Sequence, residues 1–142
     1  MSPGGRAMAI EVRGMAPMVE VFDMPTSLAF YRDKLGFKVT DDSGQGDESG
    51  WVMMQIGDST IMLNTAYDDG ERPESEDPLR VKAHHDTCVY FGCPDVDAAY
   101  EHLKAQGIKC DPPELAPYGM KQLYVTDPDN YNLCFQWPAE PT

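Results

Sequence analysis

The sequence states one pattern twice. Asp23 precedes PTSLAFYRDKLG, in which Leu28, Tyr31 and Leu35 recur at helical spacing, and Gly36 stands where such a helix must end. Asp95 precedes VDAAYEHLKAQG, with Val96, Ala99, Tyr100 and Leu103 on one stripe and Gly107 at its close. The two aspartates lie 72 positions apart and the two glycines 71. An extended FKVT and the hairpin WVMMQIGDSTIMLN follow the first helix; IKC and a strand pair turning at Asp127-Pro128-Asp129-Asn130 follow the second. A further strand leads each copy, PMVEVF at 17–22 and DTCVYFG at 86–92. The chain therefore reads as an α+β protein of two tandem βαβββ modules, each an open mixed sheet lining a cleft. The expected division is an N-terminal extension over 1–14, a first module over 15–66, an acidic linker loop over 67–83, a second module over 84–138 and a tail over 139–142.

Parity assigns the faces of the strands. Val19, Val21, Ile61, Leu63, Val89, Phe91, Leu133 and Phe135 are all odd-numbered, as strands resting on helices require, so the even-numbered residues share the other face. Pairing in the hairpins adds Trp51, Met53, Gln55, Gln122 and Tyr124 to that second face, the last two subject to the register left by a bulge at Asn130. It also holds Ala16, Met18, Glu20, Thr60, Met62, Asn64, Cys88, Tyr90, Asn132, Cys134 and Gln136. Methionines, aromatics and amides with a single carboxylate are the composition of a largely apolar ligand cleft carrying a few polar groups.

Composition narrows the ligand. A formal net charge of −13 opposes nucleic acid, which is held by lysine and arginine on phosphates, and leaves neutral or cationic small molecules. No stretch approaches the roughly 20 apolar residues of a membrane span. The four cysteines form no C-x-x-C pair and MSPGGRAMAI lacks the apolar run of a secretory signal, so a reducing cytoplasm is expected. The carboxylates Asp68, Asp69, Glu71, Glu74, Glu76 and Asp77 lie among Gly70, Pro73 and Pro78 without the order of a calcium loop, and read as a solvated linker.

The tandem units, the phrase D-x-x-x-S-L-A-F-Y-R-D-K-L-G-F over 23–37, DVDAAYEHLKAQG over 95–107 and PYGMKQLYVTDPDNY over 117–131 resemble the vicinal oxygen chelate superfamily of glyoxalases, extradiol dioxygenases and bleomycin resistance proteins. The resemblance spans roughly residues 15–138. It implies a divalent metal held by one residue from the first and one from the last strand of each unit, positions that here carry Ala16, Met62, Cys88 and Cys134. None is a carboxylate, amide or imidazole, which argues against glyoxalase or dioxygenase chemistry. The arginine that some glyoxalases place four residues after the first ligand is Glu20 here. MAPMVEVFDM and PYGMKQ are closer to the bleomycin resistance branch, which lacks metal ligands of its own and forms dimers with ligands in grooves between subunits.

The resulting expectation is a homodimeric small-molecule binding protein with no cofactor, no metal and no catalytic residue. Its ligand would meet Met18, Glu20, Trp51, Met53, Gln55, Met62, Asn64, Cys88, Tyr90, Gln122, Tyr124, Cys134 and Gln136, with stacking on Trp51, Tyr90 and Tyr124. The alternative is a metal-dependent lyase, isomerase or dioxygenase of the glyoxalase type. Met62, Cys88 and Cys134 would make a soft metal site if brought together, and His84 with His85 would make a displaced ligand pair, but both sets read more simply as pocket lining and solvent-facing loop. His102 reads as a surface residue. A nucleophilic thiolate needs a base or a cation that this face lacks. Glu20 is expected to select a cation unless an internal lysine or arginine takes it.

Overall fold

The computed structural model describes residues 9–67 and 70–140. Residues 1–8 of the N-terminal extension, Asp68 and Asp69 of the acidic segment, and the last two residues of the tail lie outside the described residues. The first module runs β1 (Met18–Val21), α1 (Met24–Leu28), β2 (Lys38–Asp42), β3 (Trp51–Ile56) and β4 (Ser59–Thr65). The second repeats it after a short helix, α2 (Pro78–His84), with β5 (Cys88–Gly92), α3 (Val96–Ala105), β6 (Glu114–Leu115), β7 (Met120–Thr126) and β8 (Asn132–Pro138). The sheets have the same strand order, β1-β4-β3-β2 and β5-β8-β7-β6. In each, the first strand lies parallel to the last and the remaining pairs are antiparallel.

The boundaries follow from local chemistry. Asp23 and Asp95 cap their helices by accepting from the amides of Thr26 at 3.1 Å and Ala98 at 2.9 Å. Gly36 and Gly107 then take φ of 93° and 77°, left-handed values that glycine adopts without a Cβ clash, and reverse the chain. Beyond Leu28, α1 widens into a π turn over Ala29–Lys34, where the amide of Leu35 donates to the carbonyl of Phe30 at 2.9 Å. Tyr31 in that turn is fully buried.

The segment expected to be a linker loop over 67–83 ends instead in α2. Asp77 accepts from the amide of Leu79 at 3.0 Å and Pro78 occupies the first helical position, so the segment carries its own helix start. Asn130 then donates to the carbonyl of Val81 at 2.9 Å and holds α2 against the turn between β7 and β8.

One apolar core serves both modules. Val19, Val21, Ile61 and Leu63 from the first sheet join Leu123, Val125, Leu133 and Phe135 from the second, with α1 contributing Leu28 and α3 contributing Leu103. Edge-to-face aromatic contacts run from Tyr31 to Phe37 within the first module at 5.5 Å and on from Phe37 to Phe91 of the second at 5.8 Å. The odd-numbered residues of β1, β4, β5, β7 and β8 and the even-numbered Val52 and Met54 of β3 thus look inward to a shared core, and the alternate residues look away from it.

Candidate ligand-binding faces

Register arranges the outward face of the first sheet in two cross-strand rows. Met18 lies beside Met62 and Met62 beside Met53; Glu20 lies beside Asn64 and Asn64 beside Trp51. The Glu20 carboxylate accepts from the Asn64 side-chain amide at 3.2 and 3.3 Å, and among the described residues no lysine or arginine pairs with it. The Glu20 backbone amide donates to the Tyr131 hydroxyl at 3.1 Å, which fixes the strand at this point. Gln55 lies beside Thr60, is exposed, and donates its amide to the carbonyl of Gly57 at 3.0 Å in its own hairpin turn.

The second sheet presents a corresponding face. Cys134 lies between Tyr90 and Tyr124, and Gln136 lies between Gly92 and Gln122. Asn130 takes φ of 72° in the turn, and the unbroken pairing of β7 with β8 leaves Gln122 and Tyr124 on the face inferred from alternation. Gln122 donates to the Gln136 side-chain oxygen and to the Tyr118 hydroxyl, both at 2.8 Å. The Tyr90 and Tyr124 hydroxyls approach to 3.4 Å, and that neighbour together with burial pushes the Tyr124 phenol up. Burial raises the Cys88 and Cys134 thiols, so both hold their protons at neutral pH.

The two faces do not meet within one chain. Side-chain hydrogen bonds link residues within each set, and none among the described residues joins Glu20 or Asn64 to Gln122, Tyr124 or Gln136. Met18, Tyr90 and Tyr124 stay 49, 52 and 45% exposed, too open for a finished pocket. Met62 falls on the first sheet while Cys88 and Cys134 fall on the second, so one chain does not assemble the three as a soft metal site. Among the described residues no group of three His, Cys, Asp or Glu side chains is placed to hold a metal ion. The positions implied for metal ligands carry a methyl, a thioether and two thiols, a donor set that does not fit the metal of the glyoxalases.

His84 and His85 are more engaged than solvent-facing loop residues. His84 is half-buried, stacks on Tyr131 at 4.2 Å and 12°, and bonds through Nδ1 to the Asp129 carbonyl at 2.9 Å; His85 Nδ1 meets Asn130 at 3.2 Å. Both rings bind the turn between β7 and β8 and the residue after it. His102 is exposed as expected and bonds to the Lys34 carbonyl at 2.7 Å.

Alternation missed Tyr118, which precedes β7. Its hydroxyl is held by Gln122, and it lines, with Leu115, Gln122 and Tyr124, a basin of about 330 Å³ bordered by Asp111 and Glu114. The available signal was its place in PYGMKQ, next to the strand it serves.

Duplicated modules, identical strand orders and parallel first-to-last pairing are now joined by a direct match: the sequence model of the Glyoxalase/Bleomycin resistance protein/Dioxygenase superfamily aligns with residues 17–135. The chain belongs to this superfamily. It is 29% identical over 126 residues to a bleomycin resistance protein of Geobacillus stearothermophilus, covering 84% of this chain and 92% of that one. Among solved structures, a bleomycin-binding protein complexed with bleomycin superposes with a TM-score of 0.67 at 21% identity, over 92% of this chain and all of that one. TioX from Micromonospora sp. ML1 superposes at 0.69 with 15% identity, over 88% of this chain and 98% of that one. At these identities the superpositions carry the superfamily fold alone.

Proposed function

We propose that the protein captures a small molecule as a homodimer, without a metal centre, in clefts made where the first sheet of one subunit faces the second sheet of its partner. The observation that carries this reading is the outward orientation of two half-exposed aromatic, amide and thioether faces that one chain keeps apart. A two-fold axis pairing the first sheet with the partner's second sheet generates two equal clefts and covers both faces. The match to a bleomycin resistance protein and the likeness to a bleomycin-bound structure support capture rather than turnover.

Within such a cleft Trp51, Tyr90 and Tyr124 stack on a flat ligand and the Gln122–Gln136 pair supplies directed hydrogen bonds. Glu20 sets the sign of charge. Its carboxylate accepts from a neutral amide and forms no salt bridge among the described residues, so covering this face leaves a charge that a cationic ligand compensates. The net charge of −13 speeds encounter with such a ligand at low salt. Calorimetric titration of paired cationic and anionic aromatic compounds tests this. Cations are expected to bind preferentially, and Glu20→Gln to reduce that preference about tenfold, equivalent to roughly 1.4 kcal/mol. Equal binding of both signs to the native protein would refute the assignment.

A further inference from the structure

A second recess lies on the inward side of the sheets, away from the faces described above. A cavity of about 710 Å³ opens between the β3–β4 hairpin turn of the first module and α3 of the second. Its floor is the edge of the shared core, Leu35, Phe91, Leu103 and Phe135, each less than a tenth exposed. Phe91 and Phe135 stack on each other at 5.2 Å and 18° in that floor, and Ile56 and Ala99 line the cavity beside them. The volume falls within the roughly 300–1,000 Å³ of small-molecule sites, and module junctions are where such sites concentrate. An apolar recess of this size is poorly served by water, which needs two to four polar partners for each ordered molecule.

The rim carries the information about charge. Asp58 stands in the hairpin turn and, among the described residues, makes no salt bridge and receives no side-chain hydrogen bond. Among the described residues no lysine or arginine lines the cavity. On the opposite rim His102 faces the Lys34 carbonyl through Nε2 at 2.7 Å, so that nitrogen donates and, in the neutral ring, Nδ1 is left as an acceptor. Both rim groups favour a donor.

We propose that this junction cavity is a second ligand site, distinct from the outward faces, for a compact apolar molecule bearing one amine, with its body on Phe91 and Phe135 and its ammonium at Asp58. The test titrates the full chain with 1-naphthylmethylamine, its neutral analogue 1-naphthylmethanol and the anion 1-naphthylacetate, by calorimetry and by amide NMR. The amine is expected to shift the Gly57 and Gly92 amides through one saturable event per chain at the recess, separate from any shifts on the outward faces. It should bind about five- to tenfold more tightly than the alcohol, and the anion weakest of the three.

Asp58→Asn, on an exposed turn, should erase the difference between amine and alcohol. Ala99→Phe should weaken the binding read at Gly57 and Gly92 at least tenfold for both by filling the recess, while Ser27→Ala, away from the recess, leaves that binding unchanged. Several results overturn the proposal: no amine-induced shift of Gly57 or Gly92 in the native protein, shifts confined to β7 and β8, or glycine shifts in Asp58→Asn that keep the full preference for the amine over the alcohol. A change in sedimentation on Ala99→Phe without probe binding to the native chain also overturns it, assigning the recess to contact between copies. If Ala99→Phe does not fold, the Asp58→Asn comparison and the glycine shifts still decide the matter.

Discussion

At the scale of single residues, the most consequential side chains are two buried acids that lie away from the ligand faces. Asp127 and Asp129 are 5 and 3% exposed and pair with no lysine or arginine among the described residues. Asp127 accepts from the Tyr31 hydroxyl at 2.6 Å, and Asp129 from the Phe22 amide at 2.8 Å and the Ser27 hydroxyl at 3.3 Å, so the turn is fastened to the first module. Burial pushes Asp129 up to about 6 from its ordinary 3.8, against the opposing pull of the Phe22 amide. Because the folded value exceeds the unfolded one, the folded protein holds the extra proton between these two pH values. The stability this group contributes is complete below about pH 4 and lost as pH rises through 6, leaving a cost on the order of 3 kcal/mol above it. Asparagine keeps an oxygen for Phe22 and offers an amide to the Ser27 oxygen. Asp129→Asn is therefore expected to raise stability at pH 8 by about 1–3 kcal/mol relative to its effect at pH 4, as read by urea unfolding at both values. A mutant whose stability difference from the native protein is the same at both pH values would contradict this account.

At the scale of elements, what the sequence disclosed was whatever local chemistry announces. Asp23 and Asp95 as caps, Gly36 and Gly107 as stops and the odd–even alternation of the four strands β1, β4, β5 and β8 were legible because each acts within a few residues. The outward face was legible for the same reason, since a parity assignment of one strand propagates through the register to the next. Helix α2 was not: its only signals, Asp77 and Pro78, lie in an acidic run whose composition reads as solvated loop, and it buries none of its residues. Nor was the burial of Asp127 and Asp129, because a D-P-D-N turn looks solvent-facing until Phe22, Ser27 and Tyr31 arrive from about a hundred positions earlier. The caps supply a contrast that mutation can measure. Asp95 makes one capping bond, whereas Asp23 also accepts from the Thr26 hydroxyl at 2.6 Å and pairs with Arg72. Asp95→Ala is expected to cost about 1 kcal/mol and Asp23→Ala more, in chemical unfolding at neutral pH. The reverse order would show that the extra contacts of Asp23 contribute nothing in solution.

At the scale of the whole molecule, the two sheets turn their ligand faces away from a single core, and that geometry asks for a second copy. Sedimentation at micromolar concentration is expected to show a dimer, and Tyr90→Glu, which sets a charge on a half-exposed face, to shift it toward monomer; a native monomer without ligand would remove the shared-cleft reading. Dimerisation also bears on metal. Bringing the first sheet opposite the partner's second sheet would put Met62 and the Cys88 and Cys134 thiols on facing sheets, a candidate soft donor set. Those thiols are raised by burial, and a metal must displace their protons, so binding is opposed at neutral pH for nickel, zinc, iron and manganese alike. Protein purified without chelator is expected to contain far less than one such metal per subunit by elemental analysis, and a chelator to leave ligand titrations unchanged. About one metal per subunit, with ligand binding lost on its removal, would sink the metal-free reading. Copper(I) is the informative exception, because thiolate and thioether donors suit it. Should copper(I) alone bind, Cys88→Ala and Cys134→Ala would each abolish it if the cleft forms as proposed, and the Met62→Ala effect would appear only in the dimer, since Met62 belongs to the other subunit's sheet.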